Sequence, residues 1–395
     1  MEHDTPFIEV GFWQSSKGGQ HAIGDVFLSN RLPERDRLVC VLCDGLGSGI
    51  KANVLATMTA TMALKFVSAD IEVRKAAEII METLPVCSQR KIGYSTFTIV
   101  DIEPEGRVRI IEYDNPPCVL IRGGKKTEVS KKKISIETKQ IGTRDLWYSS
   151  FTAQENDRVI MLTDGVTQSG MGSREMPLGW TDGKAADFIF VTCMTEPGIS
   201  ARKLSRAVVQ RALRNDRDTA RDDMSCAVIN FREPRRTLVL TGPPFDAQRD
   251  REMAAQIGDF KGTKIVCGGT TANIIARELK RKIAIDLSEP DPHIPPPSRM
   301  EGVDLITEGT LTLSRVMEIL EQGTPPESLK QNPAVRMVRL LLDSDIIEFV
   351  VGTKINQAHQ DPNLPVELDI RRNLIKRIVR LLNEKYVKSA HLRFI

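Results

Sequence analysis

The sequence predicts two domains of different class, an α+β domain over residues 1–233 and a smaller α/β domain over residues 235–395. Three observations carry that division. In the first part, short strand-like runs come in meanders while helical patterns are gathered into separate stretches, which argues for sheets covered by helices. In the second part, strands and helices alternate singly in a βαβ-like rhythm. Between them the polar run Arg232-Glu233-Pro234-Arg235-Arg236 interrupts both patterns. The length of 395 residues agrees, since one hydrophobic core seldom grows beyond about 250–300 residues.

Residues 39–43, 96–102, 108–113, 118–122, 159–162 and 225–231 are rich in Val, Ile, Phe and Thr and end at turn formers, so they read as strands. Two helical patterns separate the first two strands. One spans 52–67 with Val54, Leu55, Met58 and Met62 on one face, and the other spans 73–84 with Ala77, Ile80, Met81 and Leu84. A third helix starts from Ser200 as N-cap and runs through Leu204, Val208 and Ala212. In the second domain the strands are 237–241, 264–267, 282–286, 304–306 and 346–351, and the helices 272–281, 313–322 and 369–385. Between them the loop 289–298 carries Pro290, Pro292, Pro295, Pro296 and Pro297, which favour extended geometry.

A composition of 41% hydrophobic, 27% charged and 5% aromatic residues is that of a globular protein. A net charge of +3 is too mild for a dedicated nucleic-acid binder, and the densest basic run, Lys131-Lys132-Lys133 after Lys125-Lys126, reads as a solvated loop edge. No apolar run reaches the ~18–20 residues that cross a bilayer, and the N-terminus lacks a signal-peptide pattern, so no membrane partner is expected. The seven scattered cysteines predict a reducing, cytoplasmic setting. Cys40 and Cys43 have CxxC spacing but lie inside a strand, which predicts core packing rather than zinc.

The chemistry is concentrated in aspartates placed where strands give way to turns. Asp25 follows Ala22-Ile23-Gly24, Asp44 ends a strand and opens Asp44-Gly45-Leu46-Gly47-Ser48-Gly49, Asp164 ends another before Gly165, and Asp222-Asp223 precede the last strand. A carboxylate at a strand end is held rigidly at the sheet edge, and the glycine after it frees a carbonyl oxygen. Carboxylates with a main-chain carbonyl suit hard cations, Mg²⁺ or Mn²⁺. With five histidines, none in HxxxH spacing, zinc is a poor candidate. Taken singly, each Asp-Gly is an ordinary turn.

The segments Gly24-Asp25, Asp44 through Ala52, Tyr94-Ser95-Thr96-Phe97-Thr98, Asn115-Pro116-Pro117, Leu162 through Thr167 and Arg221 through Ser225 resemble the ordered motifs of the SpoIIE branch of the PPM metal-dependent phosphatases, over residues 8–231. The resemblance implies a β-sandwich with helices on both outer faces and a protein serine/threonine phosphatase using two ions, Mn²⁺ or Mg²⁺. It implies that Asp44 bridges the ions, with Asp25 and the Gly45 carbonyl on one and Asp164 with Asp222 on the other. A water shared between them would attack the phosphoserine phosphorus without a phosphoenzyme. Asp223 stands where other branches often carry Asn, as a further ligand or as a residue that positions the ligands. The first substrate the resemblance suggests is a serine-phosphorylated STAS-type anti-sigma-factor antagonist, and it implies that the helices after Asp44 control metal occupancy.

The sequence departs from eukaryotic-type members, which carry a histidine in the loop after the bridging aspartate and an arginine near the first ligand. This chain has Leu46-Gly47-Ser48 in that loop and no arginine close before Asp25. His21 and Lys17 are candidates for the missing proton donor and phosphate clamp; Ser48 and Lys51 read as loop and helix-start residues. In the second domain, strand ends lead into Thr241-Gly242-Pro243-Pro244, Gly268-Gly269-Thr270-Thr271, Glu308-Gly309-Thr310 and Gly352-Thr353-Lys354. Glycine turns feeding helices present N–H groups to anions, and Gly268–Thr271 is the best case, although it fits no full phosphate-binding motif. His359 reads as a loop residue. The rival to a regulated phosphatase is a non-catalytic scaffold or sensor with a small-anion-binding second domain. The sequence does not fix the oligomeric state and is compatible with a homodimer.

Overall fold

The computed structural model describes residues 6–20, 22–32, 37–83, 95–138, 142–287, 291–353, 364–386 and 388–395. His21, Leu84, Tyr94, Pro290, Lys354 and His359 lie outside the described residues. The chain divides into two compact units, Met1–Glu233 and Pro234–Ile395.

In chain order the first unit comprises β1 (Phe7–Ser15), β2 (Asp25–Leu32), β3 (Arg37–Gly45), α1 (Ile50–Ser68), α2 (Val73–Thr83), β4 (Ser95–Ile102), β5 (Arg107–Tyr113), β6 (Val119–Arg122), β7 (Lys125–Thr127), β8 (Lys131–Thr138), β9 (Gly142–Thr152), β10 (Arg158–Leu162), α3 (Asp164–Thr167), α4 (Asp182–Thr195), α5 (Ala201–Asn215) and β11 (Met224–Arg232). They form two antiparallel sheets, β1-β11-β10-β6-β7 and β2-β3-β4-β5-β9-β8.

Both faces of the central strands are apolar because both are covered. Leu38, Cys40 and Leu42 of β3 meet Met161, Ile229 and Phe231 of the other sheet between the layers. Val39, Val41 and Cys43, alternating with them, pack under Ala56, Ala60 and Ala63 of α1 and Ile80 of α2. On the opposite outer face, Ile160, Leu162 and Val228 pack under α4 and α5 through Ile189, Leu204 and Val208. The layering is therefore α-β-β-α, the sandwich that the resemblance implies. Ser200 caps α5, its hydroxyl accepting the Lys203 N–H at 3.2 Å. Cys40 and Cys43 sit fully buried on opposite faces of one strand, where CxxC spacing builds no site.

Two expectations need correction. Two of the large apolar residues expected on the core face of α1 do not lie there: Val54 and Met58 are 50% and 48% exposed, while the alanine stripe with Val67 faces the sheet and Met62 packs beside it. Small side chains are what let the helix lie close to the sheet. Lys125-Lys126 and Lys131-Lys132-Lys133 are strand residues of β7 and β8 rather than a loop edge. There Lys131 pairs with the buried Glu112, and Lys133 with Asp145 at 2.7 Å.

The second unit comprises β12 (Arg236–Thr241), α6 (Asp250–Asp259), β13 (Thr263–Cys267), α7 (Gly269–Leu279), β14 (Ala284–Ile285), β15 (Ser298–Met300), β16 (Val303–Thr307), α8 (Thr310–Gln322), α9 (Pro333–Asp343), β17 (Ile346–Val351), α10 (Leu364–Glu384) and β18 (Ser389–Phe394). Its sheet runs β14-β15-β16-β13-β12-β17-β18, parallel from β16 to β18. Counted along the chain, the parallel strands stand third, second, first, fourth, fifth, the doubly wound order. One face packs against α8, α9 and α10, and the other against α6 and α7. The strand expected over 282–286 shrinks to two edge residues, Ala284–Ile285. Among the described residues no helix is long and apolar enough to cross a membrane.

Candidate active site

Antiparallel pairing of β2 and β3 sets Asp25 directly opposite Asp44. Asp25 opens its strand and is 2% exposed; one oxygen accepts from the Thr163 hydroxyl at 2.8 Å, and the other, Oδ1, is buried without a partner. Thr163 also accepts the Ser225 N–H at 2.9 Å, so it bridges the ends of β10 and β11 to Asp25. Asp164 opens α3 immediately after, and one of its oxygens accepts from Gln168 at 2.9 Å. Asp222 lies two residues before β11, with the Lys17 ammonium 3.7 Å away. Asp25, Asp44, Asp164, Asp222 and Asp223 are thus gathered at one end of the sandwich.

The electrostatics follow from that crowding. Burial, then the charges of Asp25, Asp164 and Asp222, push the Asp44 carboxyl up to about 10. Burial raises Asp25 to about 7 against the opposing hydroxyls of Ser225 and Thr163, and the charges of Asp223 and Asp164 add to the rise. Asp222 is also raised, chiefly by burial, with Lys17 opposing. Like-charged carboxylates held this close favour protons or cations.

Asp223 is occupied differently. Its two oxygens accept the backbone N–H groups of Lys17 at 2.8 Å and Gly24 at 2.7 Å, which ties the segment before Asp25 to the start of β11. Gly45 has no room for a side chain, since a Cβ would stand 2.1 Å from the Ala52 carbonyl oxygen; a Cβ on Gly24 would stand 3.0 Å from that of Ala52. The first turn of α1 is therefore seated against the neighbours of both Asp25 and Asp44. The Asn53 amide adds a bond to the Ile23 carbonyl at 2.7 Å. Ser48 is held by Gln20 at 2.8 Å, a loop tie, and Lys51 is exposed at the start of α1. Asn115 buttresses the sheet below, donating to the Thr98 hydroxyl at 3.0 Å and accepting from Thr96.

Sequence reasoning did not assign roles to Thr163, Asn53 or Asn115. Only a polar residue inside an apolar strand end, as in Leu162-Thr163-Asp164, could have signalled the first. A groove of about 590 Å³ runs beside Asp164, lined among others by Asn115, Pro117, Trp147, Thr167 and Gln168.

The donors fit a hard divalent cation. They are oxygens only, one buried oxygen of Asp25 lacks any partner, and the crowded charge calls for neutralisation. Among the described residues, no three His, Cys, Asp or Glu side chains are arranged to grip an ion as they stand.

Solved structures resemble the chain at low identity. The RsbU and RsbW domains of a Mycobacterium tuberculosis protein match with TM-score 0.47 and 19% identity, over 65% of this chain and 70% of that one. The phosphatase domain with a regulatory fragment of SpoIIE from Bacillus subtilis matches with TM-score 0.46 and 17% identity, over 58% of this chain and 63% of that one. RsbX, solved in complex with magnesium, matches with TM-score 0.39 and 17% identity, over 58% of this chain and 98% of its own. No curated protein matches the chain significantly in sequence. The α-β-β-α sandwich is the fold of the PPM-class serine/threonine phosphatases. The chain belongs to the family described as Stage II sporulation protein E (SpoIIE), whose profile matches residues 34–232.

Proposed function

We propose that the first unit removes phosphate from a serine-phosphorylated protein with the help of two divalent cations, Mn²⁺ or Mg²⁺, and that the second unit regulates it. The observation that carries this reading is the gathering of Asp25, Asp44, Asp164 and Asp222 around a carboxyl whose proton affinity is raised far above normal. Asp44 would serve both ions, Asp25 and the Gly45 carbonyl one, and Asp164 with Asp222 the other. When bound, the ions supply a water acidic enough to ionise near neutral pH and neutralise charge developing on the phosphoryl group.

The chain's own residues do the rest. Thr163 fixes the Asp25 oxygen by donating to it, Gln168 orients Asp164, and Asp223 sets Gly24 and hence Asp25 through two amide bonds. The Lys17 ammonium, 3.7 Å from Asp222, supplies a cationic side chain beside the cluster for the substrate phosphate. We assign Asp223 to positioning the ligands rather than to ligation. A serine-phosphorylated STAS-type antagonist is the substrate to test first. A non-catalytic scaffold would have no need of this carboxylate set, and every member of it is present.

Phosphate release from a small aryl phosphate and from a phosphoserine protein, measured with Mn²⁺, Mg²⁺ and chelator, tests the reading. Activity should appear with either ion, vanish with chelator and need no zinc; robust turnover by metal-free protein would overturn it.

A further inference from the structure

The second unit carries an arrangement that the phosphatase reading does not use. In a doubly wound sheet the ligand crevice opens outside the carboxyl ends of the parallel strands. Three of those ends are Thr241 of β12, Cys267 of β13 and Thr307 of β16, and each is followed within two residues by a glycine, Gly242, Gly268 or Gly309. Gly242 and Gly268 hold φ of +80° and +108°, the region that favours glycine. Gly268 caps α7 and Gly309 caps α8, and neither has a side chain to bond the first turn. Glu308 partly fills the second of these, accepting the Leu311 N–H at 3.0 Å.

Uncapped helix starts alone would say little, but three polar side chains lie at the same end of the sheet without the partners their burial demands. Thr241 is fully buried and its hydroxyl has no hydrogen-bond partner. It shares a sheet face with Val239, Cys267 and Val351, against which α8 and α10 pack. Thr312, in the first turn of α8, is likewise fully buried with an unpartnered hydroxyl. Arg371 projects from α10: its Nη1 lies 3.0 Å from where a Cβ on Gly242 would stand, and its Nε is buried without a partner. Burial pushes the Cys267 thiol up to about 12, and the Arg371 charge reaches far enough to oppose that rise. The Leu320 carbonyl accepts from Lys385 and Tyr386, which joins the C-terminal ends of α8 and α10. Gly309, three residues before Thr312, stands beside the end of β13: a Cβ on it would lie 3.7 Å from the Gly268 Cα.

A guanidinium whose Nε is buried without a partner, two unpaired buried hydroxyls and two helix starts amount to a concentration of donors without acceptors. Buried polar groups left unpaired are costly, so such a set is matched by an occupant that supplies oxygens and negative charge. We propose that the carboxyl ends of β12, β13 and β16, with Thr241, Thr312 and Arg371, form a binding site for a phosphate-bearing small molecule. Arg371 is its charge-matching residue and Thr241 a hydroxyl donor to it. The site belongs to the second unit alone and does not depend on the first being a phosphatase.

The test is calorimetric titration of the full chain, in chelator so that the aspartate cluster binds no phosphate through metal, with ADP and with inorganic phosphate as probes. Binding of either probe is expected. ADP alone would mark a nucleotide site, and comparable binding of phosphate a site that reads the phosphoryl group itself. Arg371→Ala should weaken binding at least tenfold and Arg371→Lys less, because a lysine restores the charge but not the planar fork. Thr241→Val, nearly isosteric, should weaken binding several-fold while raising the thermal midpoint. Cooperative thermal unfolding of the second unit, followed in the full chain, should persist in all three variants, which shows them folded. Failure of both probes to bind, or wild-type binding by Arg371→Ala, would overturn the proposal. So would a Thr241→Val protein that gains stability and binds as before, since the hydroxyl would then be an unpaired core group only.

Discussion

Asp25 and Asp44 face each other as a register pair across the β2–β3 ladder, so two acidic side chains occupy neighbouring strand ends at the spacing of a single sheet step. Opposed like charges destabilise a ladder unless something neutral or positive lies between them. Asp44→Asn removes one of the pair and, on the proposed assignment, a ligand shared by both ions. Turnover should fall on the order of 10²-fold or more, given that even outer partners of metal ligands cost about 10- to 100-fold. Near-normal rates in this variant at ordinary Mn²⁺ concentrations would refute the assignment.

The same pair sets a pH dependence. Asp25 and Asp44 titrate higher in the folded chain than in the unfolded one, where a carboxyl titrates near 3.8. A group of this kind contributes stability at low pH and withdraws it as pH rises from the unfolded value through the folded one. Metal-free protein should therefore lose stability between pH 4 and 7, the window bounded by the ordinary value of 3.8 and about 7 for Asp25. Denaturant midpoints at several pH values, with chelator and with Mn²⁺, check this. Mn²⁺ should remove the decline, and an unchanged slope with the ion present would count against a cation site.

Asp223→Asn separates ligation from positioning. An amide side chain can accept only one of the two N–H bonds now made by Lys17 and Gly24. A lost acceptor for a buried N–H costs about 1–3 kcal/mol. For a unit of this size that is roughly 2–4 °C in thermal midpoint per kcal/mol. Metal-free protein should show this loss in full; an intact midpoint combined with collapsed metal affinity would make Asp223 a ligand instead.

Asn53→Ala tests the link from α1 to the site. It cuts the bond to the Ile23 carbonyl while leaving the alanine face of the helix untouched. We expect the Mn²⁺ concentration for half-maximal turnover to rise several-fold with little change in the maximal rate. Equal metal dependence would detach the helix from metal binding. Titrating Mn²⁺ into the full chain and into residues 1–233 extends the test to regulation, where coupling of about 1–3 kcal/mol, or about 5- to 150-fold in affinity, is usual. Superimposable curves would leave the second unit as a docking module.

Limited proteolysis addresses the boundary directly. Cleavage should fall near residues 233–236 and release fragments that refold independently. Resistance at the first site with a single unfolding transition would show the two units to be energetically one.

Much of this was legible in the sequence because the central strands are apolar on both faces and end at Asp or Gly. Residues 39–43 and 159–162 announce themselves in that way, and their carboxylates mark the site. β8 was hidden because an edge strand on the sheet rim is written in lysines, whose partners Glu112 and Asp145 come from elsewhere in the chain. The core face of α1 was hidden by size: alanines pack closest but carry the weakest apolar signal, and the conspicuous Val54 and Met58 point outward. Roles for Thr163 and Asp223 depend on bonds spanning 62 to 206 residues of sequence, which no local pattern encodes.

The β2–β3 ladder pairs residues without a bulge from Asp25 opposite Asp44 to Leu32 opposite Arg37. Side chains alternate across a strand, so a slip of one position would turn Leu38, Cys40 and Leu42 out of the layer they fill and carry Asp44 to the wrong face. Alignment of the two strands and assembly of the catalytic centre are in this sense a single event. A chain that folded with the wrong alignment could be compact and helical, yet it would be silent in an activity assay. Enzymatic rate per folded molecule is consequently a gauge of strand alignment that spectroscopy of secondary structure does not provide.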